Sequence, residues 1–179
     1  MANDYLVSKW KKWFGLFDNN KDGKVCYADM ELARDKFLKL HHLEGEDKKN
    51  ANDKFTKWWC KYVMWEKPEL TVEEFVECQN TAFKADKDNF VERIKTCQDE
   101  IGDFVGTAHD GFISEKEIVI IFKAEGHDDE ALDKKFFAHF SPVGGKVPLN
   151  TMIGYWIHFL TSEDISLPDP VQRAFEDGI

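Results

Sequence analysis

Four short turns recur along the chain and limit the folds that it can adopt. Each has a glycine or a proline, then an apolar residue two positions later, and then the start of a new amphipathic segment. The apolar residues of the four turns are Val25, Leu70, Ile113 and Val147. Large apolar residues beside every turn recur at helical spacing, as Leu6, Trp10 and Trp13 do before the first. This pattern predicts an all-α chain of eight helices in four helix-loop-helix units.

The apolar turn residues also predict how these units pack. Each can form a short strand that bridges to the turn of a neighbouring unit, so the units should associate as two pairs. We expect Val25 to lie opposite Leu70 and Ile113 to lie opposite Val147. The predicted fold is therefore compact, with two packed pairs of units and a short β bridge inside each pair.

The pairs divide the chain into two predicted halves. The N-terminal pair spans 1–84 and the C-terminal pair spans 85–179, and the second includes a tail at 163–179 whose short apolar patch should pack onto the body. A charged segment at 43–53, which contains Gly45, is predicted to be a connector. The four predicted loops lie at 18–29, 63–74, 106–117 and 140–151.

Composition and charge exclude several classes of function. The net charge of -10 disfavours binding to nucleic acid, because an acidic chain repels phosphate backbones. The densest apolar stretch, 118–122, is too short to cross a bilayer, and the N-terminus lacks a secretory apolar region. The cysteines are scattered without a CxxC pair, which indicates free thiols in a reducing compartment. We therefore expect a cytoplasmic monomer.

The first loop has the composition of a calcium site. Oxygen-bearing side chains stand at loop positions 1, 3, 5 and 12, which are Asp18, Asn20, Asp22 and Asp29. Gly23 lies at position 6, where the chain must turn sharply, and Lys24 at position 7 would contribute its backbone carbonyl. A polar turn between two helices is the simpler alternative. The helical flanks, apolar Val25 and closing acid favour an EF-hand loop that binds a hard cation.

Two positions of this loop depart from the usual calcium pattern. Asp29 stands where a longer Glu is usual, so its carboxylate reaches less far toward the metal. Cys26 at position 9 is a soft thiol and a poor ligand for a hard ion. Both changes lower the expected coordination number, so the loop should bind Ca²⁺ with Mg²⁺ as a competing ion.

The third loop keeps only the second half of a metal site. Asp110 and Glu117 fall at positions 5 and 12, whereas Gly106 and Ala108 at positions 1 and 3 offer no side-chain oxygen. Glu117 has a structural alternative, because it can form a capping box with Ser114. We favour this structural role over tight metal binding.

The second and fourth loops are predicted to be free of metal. The second carries Lys67 and Pro68 where a ligand and a glycine belong. The fourth carries Phe140 and Pro142 at its first two ligand positions and ends on Thr151. Each keeps its apolar residue, so its predicted role is to pair with the neighbouring turn.

Together these segments resemble the invertebrate sarcoplasmic calcium-binding proteins and the related calexcitin. The resemblance rests on FDNNKDGKV, VMWEK before TVEEF, HDGFISEKE, and GGKV followed by GYWIHFLTSED, and it covers nearly the whole chain. It implies a compact, cytosolic, eight-helix protein that binds calcium and magnesium in some of its loops. It also implies metal ligands in the first loop at Asp18, Asn20, Asp22, Lys24 and Asp29. In the third loop it implies Asp110, the carbonyl of Phe112, and Glu117.

We therefore expect a non-enzymatic calcium- and magnesium-binding protein that acts as a buffer or a sensor. No nucleophile–base pair, phosphate-binding loop or carboxylate dyad stands out in the sequence. Two alternatives remain open. One is a carrier of a small apolar, luciferin-type molecule, because the architecture is similar to that of coelenterazine-binding proteins and residues 155–158 could line a cavity or simply pack in the core. The other is a calcium-regulated module that binds a protein target.

Overall fold

The computed structural model describes residues 1–105 and 110–178, and within them the chain forms nine helices and two short antiparallel sheets. The helices are α1 (Asp4–Gly15), α2 (Tyr27–Leu40), α3 (Gly45–Tyr62), α4 (Val72–Ala85), α5 (Lys87–Val105), α6 (Glu115–Ala124), α7 (Glu130–Ala138), α8 (Leu149–Thr161) and α9 (Pro170–Glu176). The strands are β1 (Lys24–Cys26), β2 (Glu69–Thr71), β3 (Phe112–Ser114) and β4 (Lys146–Pro148).

The strand pairing confirms the predicted association of the loops. β1 pairs with β2 so that Val25 lies opposite Leu70, and β3 pairs with β4 so that Ile113 lies opposite Val147. All four of these side chains are buried. Each three-residue strand therefore places one apolar side chain in the core and fixes one loop against its partner.

Two segments differ from their predicted form. The segment 43–53 is not a connector, because α3 begins at Gly45 and includes most of it. Gly45 has a φ of 57°, a conformation that glycine adopts without strain, and acidic residues follow in the first turn, where they favour a helix N-terminus. The tail packs onto the body as expected, but it does so as a ninth helix, α9.

One hydrophobic cluster contains residues from both predicted halves of the chain. The indole of Trp10 in α1 contacts the rings of Phe83 and Phe90, and Trp58 in α3 donates a hydrogen bond of 2.9 Å to the carbonyl of Cys97 in α5. Loops from the two halves are therefore held against a shared core.

The helices of residues 1–105 and 110–178 include none with the length and apolar character needed to cross a bilayer.

A buried ion pair attaches the tail to the first helix. Lys9 in α1 is 0% exposed, and its Nζ donates to the carbonyl of Ser162 at 2.8 Å and to Oδ2 of Asp169 at 3.3 Å. Burial lowers the pKa of Lys9, while the charge of Asp169 acts in the opposite direction. Asp169 also caps α9, because its Oδ1 accepts from the amide of Gln172 at 3.0 Å.

Candidate metal centre

The first loop lies between the end of α1 and the start of α2, and its middle is fixed by the pairing of β1 with β2. Gly23 has a φ of 84°, in the left-handed region that side chains other than glycine rarely adopt. The sharp turn that a twelve-residue calcium loop requires is therefore made at the predicted position.

Three predicted ligands turn their side-chain oxygens toward the same set of backbone amides. Asp18 accepts from the amide of Asp22 at 3.1 Å and from that of Gly23 at 2.9 Å. Oδ1 of Asn20 accepts from the amide of Asp22 at 3.0 Å. Asp22 in turn accepts from the amide of Lys24 at 2.9 Å. The loop thus gathers the oxygens of its first half around its own backbone.

Asp29 is held on the other side of the loop. It is only 5% exposed, and its Oδ2 accepts from the amide of Cys26 at 2.9 Å at the start of α2. Among the residues that the structure describes, no three histidine, cysteine or acidic side chains lie close enough together to hold a metal ion as a group. The structure therefore brings Asp18, Asn20 and Asp22 together but does not join Asp29 to them in one carboxylate cluster.

The donors of the first loop nevertheless suit a hard cation. Carboxylate, amide and backbone carbonyl oxygens are the ligands that Ca²⁺ and Mg²⁺ prefer. The side chain of Lys24 is about half exposed and lies 3.5 Å from a carboxylate oxygen of Glu69, so it points away from the loop interior. Lys24 also occupies β1, opposite Thr71, where its backbone is held in place.

In the described part of the third loop, the two predicted carboxylate ligands bond to other groups of the protein. Asp110 forms an ion pair with Lys146 of β4, which lowers the pKa of its carboxyl group, and it also accepts from the amide of Phe112 at 3.0 Å. Glu117 forms the predicted capping box, accepting from the amide of Ser114 at 2.8 Å and from its hydroxyl at 2.7 Å. Gly106 and Ala108 lie outside the described residues.

The second loop packs against the guanidinium group of Arg93. The guanidinium of Arg93 lies 4.0 Å from the centre of the Trp65 ring and donates to the carbonyl of Lys61 at 2.7 Å. Trp65 stands at the third position of this loop, where a metal loop would carry an oxygen ligand. In the fourth loop, Gly144 and Gly145 both have positive φ values, and β4 begins directly after them.

Comparison with known proteins identifies the family. No model of a protein family matches the chain. The sarcoplasmic calcium-binding protein of the scallop Mizuhopecten yessoensis is 37% identical over 175 residues, which cover 97% of this chain and 99% of that protein. The chain belongs to the sarcoplasmic calcium-binding protein family. The predicted resemblance is thereby confirmed.

Solved structures share the fold of this chain. The coelenterazine-binding protein of Renilla muelleri, in its calcium-loaded apo form, superimposes with a TM-score of 0.74 at 19% identity, over 96% of this chain and 94% of the other. The sarcoplasmic calcium-binding protein of amphioxus gives a TM-score of 0.62 at 17% identity, over 97% of both chains. The predicted all-α EF-hand architecture is confirmed.

Sequence reasoning missed a polar cleft beside the first loop. A cavity of about 260 Å³ is bordered by Asp18 and Asn19 of the loop, by Gly126 in the segment after α6, and by Asp133 of α7. Both amide atoms of Asn19 and both carboxylate oxygens of Asp133 are buried without a hydrogen-bond partner. Neither residue stands at a ligand position of the loop pattern, so that pattern does not point to them.

Proposed function

We propose that this sarcoplasmic calcium-binding protein is a cytoplasmic calcium and magnesium buffer whose principal metal site is the first loop. The observation that carries the proposal is the convergence of Asp18, Asn20 and Asp22 on the amides of one tight turn, in a chain 37% identical to a scallop sarcoplasmic calcium-binding protein. When bound, the ion would take hard oxygen ligands from these three side chains, from the carbonyl of Lys24 and from Asp29.

The location of Asp29 supports a site that must close around its ion. Asp29 is short and is already bonded to the amide of Cys26, so it has to approach the other ligands for the shell to be complete. A shell with fewer protein oxygens suits the smaller Mg²⁺ better than a seven-oxygen shell does. A site of this kind would hold magnesium at resting calcium levels and exchange it for calcium when calcium rises.

The packing of the helices favours a buffer over a sensor. A sensor must open a pair of helices and expose an apolar groove when calcium binds. Here the aromatic side chains of α1, α3 and α5 form one shared core, in which Trp10 contacts Phe90 and Trp58 contacts Phe104. Opening one pair would break contacts with the other half of the chain.

The four cysteines are unpaired, which supports a reducing, cytoplasmic compartment.

Calorimetric titration with calcium, in the absence and presence of magnesium, tests this proposal. We expect one tight site, lost in Asp18→Ala and retained in Asp53→Ala, which removes an exposed acid from α3. A dye that binds apolar surface should show little change with calcium. Unchanged stoichiometry and affinity in Asp18→Ala would contradict the site, and a strong calcium-dependent dye signal would identify a sensor.

A further inference from the structure

The core contains a cavity at the meeting point of helices from both halves of the chain. It has a volume of about 100 Å³ and is surrounded mainly by aromatic and aliphatic side chains of α1, α3, α5, α6 and α8. Its walls include Trp13, Phe17, Trp58, Phe122, Met152 and Trp156. Five of these six side chains are buried, and Trp156 is partly buried. The space therefore lies among core side chains, and partly buried residues such as Ile121 and Ile153 form part of its wall.

One carboxyl group lies at the boundary between this apolar space and the polar cleft beside the first loop. Glu125, which follows the last residue of α6, lines both, and its Oε2 atom is buried with no hydrogen-bond partner among the described residues. Burial raises the pKa of Glu125 well above its usual range, with the charge of Lys36 acting weakly in the opposite direction. Burial therefore favours the neutral acid, which can both donate and accept a hydrogen bond.

A buried carboxyl oxygen without a hydrogen-bond partner costs free energy, so it needs an explanation. A single buried water is one possible partner, but such a water usually makes about three hydrogen bonds and needs several polar groups around it. Apart from Glu125, Gln98 is the other polar side chain among the residues that line the cavity. A ligand that is mostly apolar and carries one hydroxyl group matches these walls better than water does.

The volume limits the size of that ligand. An engineered apolar cavity of about 150 Å³ binds benzene, so a cavity of two thirds that size has room for one six-membered ring with slight expansion. A second void of about 20 Å³ lies next to it and shares Trp58, Ile101, Ile121 and Glu125 as walls, which gives a route for that expansion. A luciferin-type molecule with several rings is too large for this space.

We propose that the cavity is a binding site for a single-ring aromatic alcohol of the phenol class, with the ring among Trp13, Trp58 and Trp156 and the hydroxyl group bonded to Glu125. The aromatic walls contact the ring through edge and face interactions. The bond to the hydroxyl satisfies the carboxyl oxygen that is otherwise unpaired. This site is separate from the candidate metal ligands and does not depend on the proposed buffer function.

Thermal unfolding of the full calcium-loaded chain, with phenol, benzene or benzoate added, tests the proposal. A ligand that binds only the folded state raises the melting temperature in a saturable way. We expect phenol to bind at least about tenfold more tightly than benzene, because benzene leaves Glu125 unpaired. Benzoate should not bind, because its charge would have to be buried beside an acid in an apolar cavity.

Variants locate the binding site within the chain. Ile121→Phe and Ile101→Phe each fill the shared wall of the two voids and should abolish the response to phenol, whereas Ile165→Phe makes the same change at a position that is 76% exposed and should not. Glu125→Leu should remove the preference for phenol over benzene, and Glu125→Gln should keep it. Glu77→Leu, at an exposed position of α4, is the matched control.

Three results would overturn the proposal. The first is the absence of a saturable response to phenol in the parent protein, which would indicate that the cavity holds only water. The second is an unchanged response in both wall variants, provided that circular dichroism shows them folded. The third is equal affinity for phenol and benzene in the parent protein.

Discussion

The side chain of Asn19 lies directly against Gly126, which links the first loop to the segment between α6 and α7. A Cβ atom added to Gly126 would lie 2.5 Å from Oδ1 of Asn19, closer than carbon and oxygen atoms can approach without a shift. Asn19 immediately follows Asp18, the first predicted metal ligand. The candidate metal loop of the N-terminal half is therefore in contact with the C-terminal half, at a glycine where a side chain would require Asn19 to move.

We expect Gly126→Ala to weaken both the fold and the first metal site. The new methyl group would displace Asn19, and overpacking of this kind costs about 1–3 kcal/mol. Gly126 also has a φ of 84°, so alanine adds backbone strain. Displacing Asn19 should move Asp18 and reduce the calcium affinity. Chemical denaturation and calorimetric titration measure the two effects.

Gly144→Ala is the matched control for this prediction. Gly144 has a φ of 60°, but an added Cβ atom there would meet nothing within 4 Å. It therefore carries the backbone strain without the contact with the first loop. Equal losses of calcium affinity in the two variants would show that the Asn19 contact has no role.

The architecture could be predicted from the sequence because its signals are local. Aromatic residues at helical spacing define most helices, and one apolar residue in each turn determines the pairing of Val25 with Leu70 and of Ile113 with Val147. The candidate ligands of the first loop can be predicted for the same reason, since Asp18, Asn20 and Asp22 lie within five consecutive residues. Sequence patterns of this kind depend little on tertiary contacts with distant parts of the chain.

The remaining features depend on distant contacts. Lys9 looks like the solvent-facing side of an amphipathic helix, but it is buried because Asp169 lies next to it, 160 residues further along the chain. Glu125 resembles an ordinary acid at the end of a helix, and its burial depends on α3 and α5 covering it. No spacing rule within the sequence indicates either arrangement.

We expect Lys9→Met to destabilise the protein by about 3–5 kcal/mol, because it leaves the buried carboxylate of Asp169 without its partner. The double variant Lys9→Met/Asp169→Asn should recover most of this loss, since the charge is removed and asparagine can still cap α9. Urea denaturation of the parent, the single variants and the double variant measures the coupling. Lys11→Met, at an exposed position of α1, should change stability little. A double variant as unstable as Lys9→Met would contradict this account.

Asp133 should make the protein less stable as the pH rises. It is 1% exposed, and burial, followed by the charge of Asp129, raises the pKa of its carboxyl group from 3.8 to about 6. The folded state therefore holds this proton more tightly than the unfolded state does. The contribution of Asp133 to stability is greatest below pH 4 and declines as the pH rises through 6.

Asp133→Asn should consequently raise the free energy of unfolding at pH 7.5 by about 1–3 kcal/mol, with a gain that shrinks toward pH 4. Denaturation in a chelating buffer between pH 4 and 8 measures the difference. Asp99→Asn, at an exposed position of α5, provides the control and should show no such trend. A gain that is constant across this range would show that titration of Asp133 is not its cause.

The length of the side chain at position 29 should set the balance between calcium and magnesium. Magnesium requires six oxygens in a tight octahedral shell at about 2.0–2.1 Å, whereas calcium accepts longer bonds and up to eight ligands. A glutamate reaches further from the start of α2 and can give two oxygens to the ion, whereas Asp29 more easily gives one. Asp29→Glu should therefore raise calcium affinity and weaken the competition by magnesium. Calorimetric titration with calcium at fixed magnesium concentrations measures both effects.

A reciprocal change in the second loop separates metal ligation from helix capping. Glu74 accepts from the amide of Thr71 at 2.9 Å, just as Asp29 accepts from that of Cys26 at 2.9 Å, so both carboxylates cap the helix after their loop. Glu74→Asp alters the cap of α4 in a loop that carries Val63, Trp65 and Lys67 at its first three ligand positions, and it should leave the metal titration unchanged. If Asp29→Glu kept the same magnesium competition as the parent, the length of this side chain would not be the determinant of ion selectivity. If Glu74→Asp changed the titration as strongly, the effect at Asp29 would have to arise from the helix cap and not from a bond to the ion.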